Sequence, residues 1–157
     1  HAMGLNQDML DNLFQAALLH DIGKIGIDDS ILKKESPLTQ DEYQTIQTHA
    51  VLGESVLKGI EIMEDMIPAI KYHHERFDGE GYPDKLKGDD IPFFARILSI
   101  ADAFDAMTSQ RVYNKRKSYA DALLEIENCS GKQFDAKIVE YFRPIIEQGK
   151  LRQKVEI

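Results

Sequence analysis

The sequence predicts an all-α domain. Apolar residues recur at spacings of three and four along nearly all of the 157 residues, which is the period of an amphipathic helix rather than of a strand. Pro68 and Pro92 stand where helices would begin, and Gly131 separates two helical stretches. Neither an internal repeat nor a low-complexity linker divides the chain, and its length suits a single domain.

About six helices are expected, and each has a start or stop signal. Serine or threonine caps, a capping box of Thr39 with Glu42, and prolines in first turns mark the starts, whereas glycines mark the ends. The expected helices run from Gln7 to Ile22, from Thr39 onwards, from near Pro68, from near Pro92, from Tyr119 to Asn128 and from Asp135 to about Gln148.

Polar residues stand on the predicted apolar faces of four of these helices. The first face contains Phe14 and continues to a His-Asp pair, and the second contains Val56. The polar members of the four inner faces are His20, Asp21, His49, His73, His74, Asp102 and Asp105. One such histidine alone would usually be a satisfied core residue. Burying the whole set unpaired would cost several kcal/mol for each group, roughly, so a shared metal centre is the favoured interpretation.

The kinds of ligand narrow the chemistry of that centre. Imidazoles and carboxylates without a thiolate suit iron, manganese or zinc. The four histidines with Asp21 and Asp102 make six ligands, which exceed one tetrahedral ion. A carboxylate such as Asp21 can give one oxygen to each of two cations, which can hold a bridging hydroxide as a hydrolytic nucleophile. Lys24, about one turn beyond His20, could bind a phosphoryl oxygen or could equally be a solvated surface lysine.

The composition of the chain limits the kinds of partner that it can bind. The chain has 19 Lys and Arg against 27 Asp and Glu, a net charge of −8, which disfavours binding to DNA, RNA or anionic lipid. No apolar run approaches the ~20 residues of a membrane span, and the single cysteine, Cys129, excludes an intramolecular disulfide. We therefore expect a cytoplasmic domain without membrane contact. Residues 1–3 look like a cloning remnant, and residues 150–157 are expected to form a tail.

Several motifs closely resemble the HD-GYP family, a branch of the HD superfamily of metal phosphohydrolases. They are HDIGKIG at 20–26, His49, HHERFDGEGYP at 73–83, IADAFDAMTS at 100–109 and RVY at 111–113. The resemblance extends from about Leu5 to Phe142. It implies an HD-superfamily helical bundle and a cyclic di-GMP phosphodiesterase, which opens a 3′,5′-phosphodiester to give linear pGpG and then GMP.

The resemblance also implies roles for individual residues. The metal ligands would be His20, Asp21, His49, His73, His74 and Asp102, with Asp21 bridging two or three divalent ions: iron or manganese first, zinc or nickel as alternatives. Lys24 would bind phosphate and act with Asp21 in catalysis. Gly79, Gly81 and Pro83 would shape a tight loop, with glycine free to adopt positive φ. Tyr82 would lean on the substrate, Arg111 would grip its phosphate or guanine, and Asp105 would orient a ligand or Arg111, or cap the helix.

The chain also departs from the family pattern. The family has a further ligand helix some thirty residues before the His-Asp pair, whereas this chain begins nineteen residues before His20. We therefore expect residues 4–149 to form the domain without its first helix, and the exposed apolar surface could recruit a second copy. Val112 and Asn114 replace the family's proline and lysine. An impaired receptor, or a module that docks a GGDEF-domain protein, is one alternative. A phosphohydrolase of a hybrid cyclic dinucleotide is another.

Overall fold

The chain folds into a bundle of α-helices. The computed structural model describes residues 3–109, 116–147 and 149, and within them it contains no strand. No helix in these ranges is long and apolar enough to cross a membrane. The helices are α1 (Gln7–Leu19), α2 (Asp29–Leu32), α3 (Gln40–Gln47), α4 (His49–Leu57), α5 (Ile67–Tyr72), α6 (Phe93–Thr108), α7 (Tyr119–Asn128) and α8 (Ala136–Glu147). The all-α prediction is confirmed.

Each of the six predicted helices is present, but the second is divided. Thr48 donates its backbone N–H to Thr45 O at 3.2 Å and its hydroxyl to the same oxygen at 2.7 Å. This tighter turn separates α3 from α4. The sequence pattern also missed α2, a single turn capped by Asp28, whose carboxylate accepts the Ser30 N–H at 2.7 Å.

The predicted N-terminal caps are confirmed. The Thr39 hydroxyl accepts the Glu42 N–H at 3.2 Å, and the Glu42 carboxylate accepts the Thr39 N–H at 2.7 Å, which together form the capping box. Ser118 accepts the Asp121 N–H at 3.1 Å at the start of α7. These reciprocal bonds satisfy N–H groups that have no partner inside their helices, so local sequence sets where these helices begin.

Two hydrophobic clusters meet at α6. The first joins α1, α4 and α5 through small and aliphatic residues such as Ala16, Leu57 and Ile70. The second joins α6, α7 and α8 around residues such as Phe104 and Ile126. Helix α6 also contacts α1 and α5, so it forms a wall between the two clusters and carries its polar side chains to the junction.

Some residues on the predicted inner faces lie outside instead. Phe14 is 65% exposed and Val56 is 47% exposed, because α1 and α4 pack through their smaller residues, Ala16 in α1 and Ala50 in α4. In α6, Asp105 is exposed whereas Phe104 is buried. The helical period predicts which residues share a face, but it does not fix which of two adjacent residues points into the core. Adjacent residues lie 100° apart around the helix, and the apolar face is itself about that wide.

Candidate metal centre

Three histidines are held by the same local arrangement. In each, Nδ1 lies close to the carbonyl oxygen of the residue three positions earlier. The pairs are His20 with Ala17 at 2.7 Å, His49 with Ile46 at 2.7 Å and His73 with Ile70 at 2.6 Å. Since a carbonyl oxygen only accepts hydrogen bonds, Nδ1 must be the protonated donor. In the neutral ring, Nε2 therefore keeps its lone pair and points away from its own helix.

The Nε2 atoms of His49 and His73 face each other. They lie 3.5 Å apart, and each residue is 1% exposed. Neither neutral ring has a proton to donate to the other. Burial lowers the pKa of His49 and lowers that of His73 to about 4, so protonation does not resolve the clash near neutral pH. A cation that both lone pairs can ligate would resolve it, as in metal sites built from neutral imidazole.

Asp21 lies between two of these imidazoles. Its Oδ1 is 3.5 Å from His49 Nε2, and its Oδ2 is 3.5 Å from His20 Nε2. Asp102 approaches His20 from α6, with 3.6 Å between Oδ1 and Nε2. Burial opposes the charge on Asp102, but the hydrogen bond with His20 and the electrostatic effects of His20, His74 and His73 together outweigh it and lower the pKa of Asp102 to about 2. Both carboxylates are therefore available as anionic ligands.

His74 adds a fourth imidazole. Its ring centroid is 3.9 Å from that of His73 and 5.0 Å from that of His49. Burial and the neighbouring His73 lower the pKa of His74 to about 3. All six residues predicted as ligands thus meet in one region of the fold.

The cluster divides into two overlapping groups of donors. One contains His49, His73 and His74, the other contains His20, Asp21 and His73, and the donor atoms of each group lie within 4.8 Å of one another. His73 belongs to both groups, and Asp102 joins the second through His20. Imidazole nitrogens and carboxylate oxygens without a thiolate suit divalent transition metals. The residues therefore fit such cations.

Lys24 is brought to the edge of this cluster. Its ammonium donates to Asp21 Oδ2 at 2.6 Å, and its side chain is 40% exposed. Burial would raise the pKa of Asp21, but the hydrogen bond from Lys24 and the electrostatic effects of His20, Lys24 and His49 together outweigh it, and the net shift is downward. The ammonium therefore lies between solvent and the cluster, where it could meet an incoming anion.

The turn that carries Lys24 depends on Gly23. A Cβ on Gly23 would lie 1.9 Å from His49 O and 2.5 Å from Gly53 N. The 3₁₀ turn Ile22–Gly26 therefore rests directly on the backbone of α4, and this contact brings Asp21 to His49. The sequence analysis did not identify this role, because a close approach of two backbones is visible only in the tertiary structure.

The loop of residues 75–84 presents Tyr82 to the cluster. The Tyr82 ring stacks on His74, with centroids 4.8 Å apart and planes inclined by 30°. Gly79 has the expected positive φ, 87°. Gly81 is needed for a different reason, since a Cβ there would lie 2.3 Å from Arg76 N and 2.5 Å from Glu75 Cα. The loop is therefore pressed against the segment that follows the two histidines.

Glu75, which the sequence analysis did not single out, anchors this loop. It is 3% exposed, and its Oε1 accepts the Asp84 N–H at 2.7 Å. Its Oε2 is buried without a hydrogen-bond partner in the described ranges. The Asp84 carboxylate in turn accepts the Tyr72 hydroxyl at 3.0 Å and lies 3.3 Å from the Lys71 ammonium. In the sequence, the position of Glu75 inside the HHE motif was the signal that could have identified it.

A cavity of about 450 Å³ opens beside the cluster. Its walls include His73, His74, Gly81, Tyr82 and Asp102, so two of the predicted substrate contacts, Gly81 and Tyr82, do line a space next to the metal ligands. The volume lies within the range of about 300–1,000 Å³ typical of small-molecule sites.

A further predicted contact, Asp105, does not line this cavity. Asp105 is exposed near the end of α6, where its carboxylate accepts the Ser109 hydroxyl at 2.9 Å. This bond joins two side chains and caps no backbone group, so the three roles considered for Asp105 stay predictions. Arg111 lies outside the described residues.

Comparison with known proteins identifies the family. The HD domain matches residues 1–138. A probable cyclic di-GMP phosphodiesterase of Vibrio cholerae is 41% identical over 146 residues, which cover 88% of this chain and 33% of that protein. A cyclic di-GMP phosphodiesterase of Thermotoga maritima is 41% identical over 142 residues, which cover 89% of this chain and 39% of that protein. The chain thus spans between a third and two fifths of the length of these relatives.

Relatives with another substrate are also similar. A 3′3′-cGAMP-specific phosphodiesterase of Vibrio cholerae is 37% identical over 142 residues, covering 89% of this chain and 27% of that protein. The crystal structure of a cyclic GMP-AMP-specific phosphodiesterase of the same organism has a TM-score of 0.74 at 25% identity, covering 99% of this chain and 42% of that one. These matches agree with the motifs and with the divalent-metal chemistry of the donor set: the chain belongs to the HD domain family.

Proposed function

We propose that this domain is a metal-dependent phosphodiesterase that hydrolyses cyclic di-GMP to linear pGpG and GMP. The observation that carries the proposal is the position of Asp21, whose two oxygens face different imidazoles, His20 and His49, at 3.5 Å each. One carboxylate between two groups of donors is the arrangement expected of a ligand that bridges two cations. The similar cyclic di-GMP phosphodiesterases support the choice of substrate.

The metal ligands we propose are His20, Asp21, His49, His73, His74 and Asp102, holding two or three divalent ions, with iron or manganese preferred to zinc or nickel. When bound, such ions would supply Lewis-acid activation of the phosphodiester and of the attacking water. The protein's own contribution is orientation. The bonds from Nδ1 to backbone carbonyls fix three of the imidazoles, and burial keeps bulk water from His49 and His73.

The substrate would be held by groups around the cluster. The Lys24 ammonium, already paired with Asp21, would bind a phosphoryl oxygen and stabilise the charge that develops there. Tyr82 and Gly81 line the adjoining cavity, where Tyr82 would contact a base. Arg111 is assigned to the phosphate or guanine on the strength of the family motif.

Ligand substitution tests the metal centre. We expect His73→Ala and Asp21→Asn to bind fewer manganese ions by elemental analysis and to lose at least about 100-fold in the rate of cyclic di-GMP hydrolysis, as is typical of lost catalytic groups. Asp29→Asn is the control, since Asp29 is an exposed aspartate paired with Lys33. Retention of full metal content and turnover by His73→Ala would refute the proposal.

A lysine pair tests the phosphate contact. Lys24→Ala should keep its metal content but lose about 10–1,000-fold in kcat/KM, the range for a removed charge-stabilising donor. Lys33→Ala removes a comparable lysine-aspartate pair at the surface and should leave kcat/KM unchanged. Equal kcat/KM for Lys24→Ala and the wild type would assign Lys24 to the solvated surface.

The hybrid cyclic dinucleotide remains a second candidate substrate, because similar proteins include cyclic GMP-AMP-specific enzymes. Incubation with both dinucleotides together should show which is consumed first. We expect cyclic di-GMP to be consumed first, and preferential loss of the hybrid would reverse the assignment.

The other alternative is recognition without turnover, in which the domain binds a cyclic dinucleotide or docks a GGDEF-domain protein through the loop of residues 75–84. Calorimetry that shows dinucleotide binding by the metal-loaded protein without any product would favour this alternative. Metal-dependent turnover would exclude it. Sedimentation at increasing protein concentration would test the homodimer separately.

A further inference from the structure

A second cavity adjoins the one beside the metal ligands. Its volume is about 350 Å³, and it lies between α3, α4 and the loop of residues 75–84. Gln47 and Tyr82 line both cavities, so the two spaces meet at these side chains. None of the six proposed metal ligands lines the second cavity. It therefore extends the site away from the cations, towards a part of the substrate that does not react.

The walls of this cavity combine apolar surface with amide groups. Val51, Leu52, Tyr82 and Pro83 supply the apolar part. The side-chain amides of Gln44 and Gln47 supply hydrogen-bonding groups, and neither makes a hydrogen bond among those found in the described ranges. Apolar walls with a few unused polar groups are typical of small-molecule sites. An amide offers both donors and an acceptor, as the edge of a nucleobase also does.

We propose that this cavity is a base-binding subsite, which takes one purine of the cyclic dinucleotide while the scissile phosphate faces the His/Asp cluster. The assignment rests on the proposed function and adds to it the residues that read the base. Tyr82 offers its ring for contact with the purine, since base-aromatic contacts stabilise nucleotide binding without regard to sequence. Gln44 and Gln47 meet the polar edge of the base, so they contribute to the choice between guanine and adenine.

The neutrality of the cavity supports a base rather than a phosphate. Val51, Leu52, Pro83, Thr48, Gln44 and Gln47 carry no charge, and no lysine or arginine among the described residues lines this space. A phosphate buried against neutral apolar walls would lose its hydration without gaining a cation. A planar purine loses far less, because its faces are apolar and only its edge needs hydrogen bonds. The charged ammonium of Lys24 lies instead beside the metal ligands.

Filling the cavity tests its role. Val51 lines the cavity and is 40% exposed, so Val51→Trp should fold and occupy the space. We expect KM for cyclic di-GMP to rise at least about tenfold, while kcat/KM for bis(p-nitrophenyl) phosphate, a phosphodiester without a base, changes less than about twofold. Val56→Trp places the same side chain on the same helix at a residue that is 47% exposed and lines neither cavity. Both activities should survive that change.

A second variant tests the reading of the base edge. Gln44→Leu keeps the size of the side chain and removes its amide, so the ratio of kcat/KM for cyclic di-GMP to that for cyclic GMP-AMP should change at least about fivefold. Gln40→Leu, on the same helix but outside the cavity, should leave the ratio unchanged.

The outcomes separate this inference from the proposed function. An unchanged KM in Val51→Trp, equal loss of both activities in that variant, or an unchanged ratio in Gln44→Leu would overturn the base-binding subsite alone. A wild-type protein that hydrolyses bis(p-nitrophenyl) phosphate with manganese but neither dinucleotide would overturn both proposals.

Discussion

Glycine is required at positions 23 and 81 because main-chain atoms of another segment occupy the space where a side chain would begin. Neither has a positive φ in the structure, so backbone torsion does not select glycine there. Any side chain would collide with main-chain atoms, at His49 in one case and at Arg76 in the other. Because main-chain atoms cannot rotate away as a side chain can, the two glycines set the distances from Asp21 to His49 and from Tyr82 to His74.

Gly23→Ala should disrupt the fold and the metal centre together. The added methyl would overlap His49 O, so the turn and α4 must separate. We expect the free energy of unfolding, measured by urea denaturation, to fall by about 1–3 kcal/mol. The manganese content should fall as well. Gly26→Ala lies in the same turn, where the new Cβ would meet only the flexible Leu52 side chain at 3.0 Å. A Gly23→Ala protein as stable as Gly26→Ala would contradict this account.

The types of residue in the site were predictable from the sequence, whereas their supports were not. His20, Asp21, His49, His73, His74 and Asp102 stood out because each is polar at a position where helical periodicity expects an apolar residue. Glu75 interrupts no stripe, so helical periodicity does not mark it as buried, and its place in the HHE motif was the available signal. Gly23 reads as an ordinary loop glycine, because its partner, His49 O, is a backbone atom that carries no sequence signal.

Two side chains of α5 hold the C-terminal end of the loop of residues 75–84. Asp84 is the common point, since its N–H bonds to Glu75 and its carboxylate meets Tyr72 and Lys71. Lys71 also lies 3.2 Å from Glu54 of α4. The loop is therefore tied to α4, which contains His49, and to α5, which ends just before His73. These ties hold Tyr82 beside the imidazoles.

Glu75→Ala should loosen this loop. The substitution leaves the Asp84 N–H without an acceptor, and a buried unsatisfied group costs about 1–3 kcal/mol. The free energy of unfolding should fall by that amount, and KM for the dinucleotide should rise as Tyr82 leaves His74. Glu75→Gln keeps an acceptor oxygen and should restore both quantities. For stability, Glu80→Ala is the matched control, because Glu80 is an exposed glutamate of the same loop. Failure of glutamine to rescue would contradict the role of the bond.

Helix starts were predictable and one helix break was not. The capping box at Thr39 and the cap at Ser118 are local patterns, and the bonds they predict are present. The division at Thr48 depends on a hydroxyl that bonds back to Thr45 O, which threonine also does within continuous helices. Sequence alone therefore could not distinguish one long helix from α3 followed by α4.

Arg96 links three segments of the molecule: α6, the start of α8 and the turn before α6. It lies on α6, its side chain is 13% exposed, and it donates to Asp135 at the start of α8 at 2.8 Å. The Asp135 side chain is only 7% exposed. Arg96 also pairs with Asp89, whose side chain is 85% exposed. One arginine thus has a buried partner and an exposed one, which allows a direct comparison.

Asp135→Ala should destabilise the protein far more than Asp89→Ala. Removing the buried partner leaves the guanidinium poorly compensated, at a cost of about 3–5 kcal/mol. Removing the exposed partner should cost about 0–1 kcal/mol. Thermal and urea unfolding of the two variants give the comparison. Equal losses would show that the burial of Asp135 does not govern the strength of the pair.

Metal loading should stabilise the whole domain, because the proposed ligands come from α1, α4, α5, α6 and the segments that flank them. At a free manganese concentration about 100-fold above Kd, the gain should be about 2.7 kcal/mol, seen as a higher Tm than in EDTA. His73→Ala, which removes the ligand common to both donor groups, should show little of this gain. An identical rise in Tm for His73→Ala would place the cations elsewhere.

The loop of residues 75–84 also has partners much later in the chain. Phe77 N–H donates to Gln133 O at 3.1 Å and Asp78 N–H to Lys132 O at 2.8 Å, while the Arg76 guanidinium reaches the Gln133 side chain at 3.2 Å, 57 residues along the sequence. During synthesis on the ribosome, every proposed metal ligand has been made once Asp102 is added. The groups that complete the loop emerge only some thirty residues later. A nascent chain therefore contains its proposed metal ligands before it can complete the loop that carries Tyr82.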